Sequence, residues 1–120
     1  MTHRILIVED DSSSRFIYQQ VLAGFEFVEA SDGGQAIELL REQQFDVVIL
    51  DMLLPRVQGT SVLEFLYHQP HADKTRVIVA TAHSGFGGLS LRKGDLLLLK
   101  PVLPQQIRDA VRSMLASPTA

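Results

Sequence analysis

Five short apolar runs punctuate the chain: Ile5–Val8, Phe25–Val28, Val47–Leu50, Val77–Ala80 and Leu96–Leu99. Three of them, Ile5-Leu6-Ile7-Val8, Val47-Val48-Ile49-Leu50 and Val77-Ile78-Val79-Ala80, are rich in β-branched residues and lack polar alternation. A strand buried on both faces has that pattern. Between the runs, apolar residues recur at helical spacing. Phe16, Ile17, Val21 and Leu22 follow Asp11-Ser12-Ser13-Ser14, whose short oxygens suit a helix start. Ala36, Ile37 and Leu40 follow Ser31-Asp32-Gly33-Gly34, and Val62, Phe65 and Leu66 follow Thr60 and Ser61. Leu103, Ile107, Ala110, Val111 and Met114 form the cleanest stripe, which ends before Pro118. Strands and helices alternate, which predicts an α/β fold: a parallel sheet with helices on both faces.

One stretch breaks the rhythm. Ser84 to Gly94 holds Gly85, Gly87, Gly88 and Gly94, and each glycine penalises a helix by roughly 1 kcal/mol relative to alanine. The connection between the fourth and fifth strands therefore reads as loop, with its helix, the fourth in order, short or missing. Residues 1–116 read as one domain and 117–120 as a frayed tail.

Composition narrows the class. At 120 residues the chain has the length of a single domain, and 46% apolar with 21% charged residues fits a packed core rather than disorder. The absence of cysteine excludes disulfides, thiol catalysis and cysteine zinc sites. A net charge of −3 offers no basic field for direct nucleic-acid binding. No apolar run is long enough to span a membrane or to serve as a signal peptide, so a cytoplasmic protein is expected.

Chemistry collects where the strands end. The first run leads into Glu9-Asp10-Asp11, the third into Asp51, the fourth into Thr81 and the fifth into Lys100. In open parallel sheets the carboxyl ends of the strands form the ligand crevice. A single acid after a strand is an ordinary turn residue, but four strands delivering polar groups to one edge make a site. Two unit charges 4 Å apart interact with roughly 4 kcal/mol at an effective dielectric near 20, so clustered carboxylates need a cation, a shared proton or water. An oxygen-only ligand set favours a hard ion, magnesium over zinc. Asp51 suits a nucleophile that forms an acyl phosphate, Lys100 can pair with the phosphoryl charge, and the Thr81 hydroxyl can donate to a further oxygen. Asp11 reads as the cap of the first helix rather than a ligand.

At these residues the sequence resembles the receiver domain of two-component response regulators. The matching pieces are Ile5-Leu6-Ile7-Val8-Glu9-Asp10-Asp11, Val48-Ile49-Leu50-Asp51-Met52-Leu53-Leu54-Pro55 with Gly59, Val79-Ala80-Thr81-Ala82 and Leu99-Lys100-Pro101. The resemblance implies a flavodoxin-like, doubly wound, five-stranded sheet of order 2-1-3-4-5. It implies Asp51 as phosphoacceptor and a magnesium ion held by Glu9, Asp10, Asp51 and the Leu53 carbonyl, with Thr81 and Lys100 completing the site. It implies a cis peptide before Pro101. The donor would be a histidine kinase or histidine phosphotransfer protein, and the output would pass to a downstream protein partner. Leu53 and His83 stand where such domains admit the hydrolytic water, which implies slow phosphate loss. Two departures stand out: Thr81 and Lys100 are closer in sequence than usual, and Leu97 stands where the family commonly has a switch aromatic.

Two other functions compete. A phosphorylation-independent interaction module would suit the missing aromatic, but has no need of clustered acids. A magnesium phosphatase of the haloacid-dehalogenase type also uses Asp, Thr and Lys. It needs a second Asp two residues after the nucleophile, where this chain has Leu53, and acids after the lysine rather than before it. The favoured reading is a signalling module that catalyses only its own phosphorylation and dephosphorylation, not an enzyme acting on a separate substrate.

Overall fold

A computed structural model describes residues 3–52, 54, 57–82 and 91–116. Leu53, Pro55, His83, residues 84–90 of the glycine-rich connection (with Phe86) and the tail 117–120 lie outside the described residues.

Five strands, β1 (Arg4–Val8), β2 (Glu26–Ala30), β3 (Val47–Leu50), β4 (Arg76–Thr81) and β5 (Leu96–Leu99), form one parallel sheet of order β2-β1-β3-β4-β5. Among the described residues the helices are α1 (Ser12–Val21), α2 (Gly33–Glu42), α3 (Gly59–Tyr67) and α4 (Pro104–Ala116), with a 3-10 turn at Ala72–Lys74. Side chains alternate across a strand, so the central strands feed two separate cores. Leu6, Val8, Val48, Leu50, Val77 and Val79 pack with Ala36, Val62, Leu63 and Leu66 of α2 and α3. Ile5, Ile7, Val47, Ile49 and Ile78 pack with Tyr18, Leu22, Ile107 and Val111 on the α1 and α4 side. Unbroken apolar runs are thus the signature of strands covered on both faces.

The structure corrects two expectations from the pattern. Phe16 and Ile17 are 60% and 44% exposed, and Tyr18 is buried in their place beside the expected Leu22. These two lie four residues apart on one helix face, and the amphipathic tyrosine carries the stripe assigned to its apolar neighbours. In α3, Thr60 and Ser61 lie inside the first turn, while Gln58 is the N-cap and makes no side-chain capping bond. The other starts behave as read. Asp11 accepts from the Ser14 amide at 3.0 Å, and Asp32 accepts from the Gln35 amide at 2.8 Å.

Candidate functional site

Each site residue is held by the sheet that delivers it. Glu9, Asp51 and Lys100 stand one residue beyond the ends of β1, β3 and β5, and their amides still extend the ladder. The Glu9 N–H donates to Ala30 O (3.1 Å), that of Asp51 to Val8 O (3.0 Å) and that of Lys100 to Thr81 O (2.8 Å). Thr81 itself is the last residue of β4 and is fully buried. Glu9 and Asp51 are buried, at 1% and 7% exposure, whereas Asp10 faces solvent. The Lys100–Pro101 peptide is cis, as the resemblance implied.

The side chains converge. Carboxylate oxygens of Glu9, Asp10 and Asp51 lie within 4.8 Å of one another. Lys100 Nζ donates to Glu9 Oε1 at 2.5 Å and to Asp51 Oδ2 at 3.4 Å. Burial pushes the Glu9 carboxyl up to about 7, a hydrogen bond with Asp51 adds to the rise, and Lys100 opposes it. Burial works against the charge on Lys100, yet the neighbouring Glu9 and Asp51 outweigh it and raise its pKa. Lys100, bonded to both Glu9 and Asp51, moderates the carboxylate repulsion. This oxygen-only donor set, open to solvent on the Asp10 side, fits a magnesium ion.

The loop geometry has its own supports. A Cβ on Gly59 would stand 2.5 Å from Met52 Cα and 2.7 Å from the Asp51 carbonyl oxygen. Only glycine permits that close approach of α3 to the chain behind Asp51. Asp11 caps α1, and its bonds to the Ser14 hydroxyl and amide hold its carboxyl below the usual range; it is the capping residue rather than a member of the carboxylate cluster. Two supporting residues escaped the sequence reading. Arg15 Nη1 donates to the carbonyls of Glu9 (2.8 Å) and Asp10 (3.1 Å), holding the acidic turn from beneath. Its signal was a cation one helical turn after the Asp11 cap. Tyr18 lines an open groove of about 380 Å³ with Lys100 and Pro101, and burial pushes its phenol up to about 12.

Residues 5–112 match the model of the response regulator receiver domain, and the chain belongs to that family. Its fold and acidic cluster are those of a receiver domain of two-component systems. Sporulation initiation phosphotransferase F of Bacillus subtilis (strain 168) is 31% identical over 120 residues, spanning 96% of this chain and 95% of the relative. The probable transcriptional regulator ycf27 of Porphyridium aerugineum is 28% identical over 118 residues, covering 93% of this chain but 48% of the relative. The chain thus spans about half the length of such relatives. Among solved structures, response regulator protein TrrA of Thermotoga maritima, in complex with Mg2+-BeF, superposes with a TM-score of 0.82. It is 26% identical, with 94% of this chain and 99% of that one covered. Among the described residues no helix is long and apolar enough to cross a membrane.

Proposed function

We propose that this chain is a phosphorylation-controlled signalling receiver in which Asp51 accepts a phosphoryl group from the phosphohistidine of a histidine kinase or histidine phosphotransfer protein. The observation that carries this reading is the convergence of three carboxylates on one sheet edge, with Lys100 bonded to two of them. The magnesium complex of TrrA supports the choice of metal. Glu9, Asp10 and Asp51, with the Leu53 backbone carbonyl, would hold the ion, which when bound supplies charge neutralisation for the phosphoryl oxygens.

An Asp51 carboxylate oxygen attacks phosphorus, and a P–O bond forms as the P–N bond to the donor imidazole breaks. The bonding electrons stay with that nitrogen, leaving a neutral imidazole protonated on its other nitrogen. The fixed backbone of Asp51 sets the line of attack. Lys100, shared between Glu9 and Asp51 at the start, pairs with the phosphoryl group as it arrives. The Thr81 hydroxyl donates to a further phosphoryl oxygen. No separate substrate is turned over, and a protein partner reads the result, without direct contact to nucleic acid or membrane.

Acetyl phosphate with magnesium, followed by intact mass measurement, tests the assignment. The wild type is expected to gain one phosphoryl group, and Asp51→Asn none while keeping its fold. Equal labelling of the variant would overturn the acceptor assignment; an unlabelled wild type would favour a phosphorylation-independent interaction module.

A further inference from the structure

Strand β5 is Leu96-Leu97-Leu98-Leu99, four identical side chains. Register is ordinarily fixed because a one-residue slip exchanges the buried and exposed faces. In a run of identical leucines that exchange is chemically silent. Among the described residues β5 is also an edge strand with β4 as its single neighbour, and none of its residues is fully buried. Yet a slip of one residue would carry Lys100 about 3.3 Å along the strand, enough to break its bonds to Glu9 and Asp51. Something other than hydrophobic pattern must hold this strand in place.

The residue before β5 supplies the hold. The Asp95 side chain is 0% exposed and accepts from three directions. The Val77 amide of β4 donates to its Oδ1 (2.9 Å), while the Tyr67 hydroxyl (2.7 Å) and Arg92 Nε (3.0 Å) donate to its Oδ2. Arg92 is itself anchored, donating through Nη1 to Ala72 O and through Nη2 to Thr75 O, both at 2.6 Å. Its guanidinium lies 4.2 Å from the Tyr67 ring centre. Gly94, at φ +97°, allows the tight turn that returns the Asp95 amide to Arg92 O at 3.0 Å. A buried carboxylate with every donor in place has one low-energy position. A slip would strand the Val77 amide and the Asp95 charge together.

We propose that Asp95, braced by Tyr67 and Arg92, is the register pin of β5 and thereby a positioning residue for Lys100 at the opposite end of the strand. The part concerning phosphoryl transfer rests on the function proposed above; the register itself does not. Hydrogen exchange reads the register directly. In Asp95→Ala the Val77 and Lys100 amides are expected to exchange roughly tenfold faster relative to Ile7 and Ile49 of the central strands. Asp95→Asn, whose amide oxygen can still accept from Val77, is expected to restore most of the protection. Unchanged relative protection of the Lys100 amide in Asp95→Ala would overturn the pin. If that variant does not fold, Tyr67→Phe removes one bond and keeps the ring; a coupled, smaller loss at both amides is then expected, and loss at neither overturns the proposal.

Labelling by acetyl phosphate then separates positioning from general weakening. Asp95→Ala is expected to slow labelling roughly tenfold in an otherwise wild-type chain and less than about twofold in a Lys100→Ala background, because it acts through Lys100. The same slowing in both backgrounds would reject the positioning role. A wild type that takes no phosphoryl group would instead refute the proposed function, leaving the exchange result to decide the register.

Discussion

Glu9 is a buried carboxyl beside Asp51 and Lys100. Its native carboxyl titrates near 7 rather than at the ordinary 4.5, chiefly because it is buried. A carboxyl whose native pKa is raised stabilises the fold fully below the unfolded value, and that contribution is lost as pH rises through the native one. Without metal, the Glu9 contribution therefore falls between about pH 4.5 and pH 7, by roughly 3 kcal/mol for a shift of that size. The metal-free melting temperature is expected to fall across this window, and Glu9→Gln to flatten the fall. An identical pH profile in wild type and Glu9→Gln would contradict it. The proposed magnesium ion would act in the opposite sense, since it would need the carboxyl ionised. Saturation at a hundredfold excess over Kd corresponds to about 2.7 kcal/mol of stabilisation. A rise in melting temperature is expected for the wild type and little or none for Asp10→Asn, measured by thermal unfolding with and without the ion.

At the scale of elements, the site depends on how closely helix starts approach strand ends. The α3 start lies against the Asp51–Met52 backbone at Gly59, and its amide donates to Met52 O at 3.1 Å. Because the atoms a new Cβ would meet are mostly backbone, they cannot swing aside. Gly59→Ala is expected to cost about 1–3 kcal/mol in overpacking and to slow labelling at Asp51 by displacing its carboxylate. Urea unfolding and the acetyl phosphate reaction check the two parts separately; unchanged labelling would show that the α3 start does not position Asp51. Helix α1 shows the same principle in reverse. Its Asp11 cap and the Arg15 bonds to the Glu9 and Asp10 carbonyls fix the acidic turn from one side.

Across the whole molecule the sheet divides the core in two, and substitutions in different layers share no partners. Leu66→Ala, in the layer with α2 and α3, is expected to cost about 2–5 kcal/mol. Ile107→Val, in the α1 and α4 layer, is expected to cost about 0.5–1.5 kcal/mol. Both side chains are essentially buried. The double variant is expected to match the sum within about 0.5 kcal/mol, as measured by denaturant unfolding. A larger departure would mean that the sheet transmits strain between its faces.

Local patterns by themselves determined much of this protein. The apolar runs placed β3 and β5 at the bounds the structure gives, and the Asp11 and Asp32 caps marked two helix starts. That Glu9, Asp51, Thr81 and Lys100 share one edge was legible because strand ends in a parallel sheet lie together there. What the chain could not encode locally was decided by tertiary structure. Lys100 meets Glu9 across 91 residues of sequence, and the burial that raises the Glu9 pKa exists only once β1, β3, β4 and β5 have joined in one sheet. The buried face of α1 depended on the α4 helix packed against it, so Tyr18 displaced Phe16 and Ile17 from the core. The register of four consecutive leucines has no periodicity to read, so it rests on Asp95 and its partners. Short-range periodicity fixes which segments become strands and helices; long-range contacts alone fix which side chains are buried together, and hence their charge.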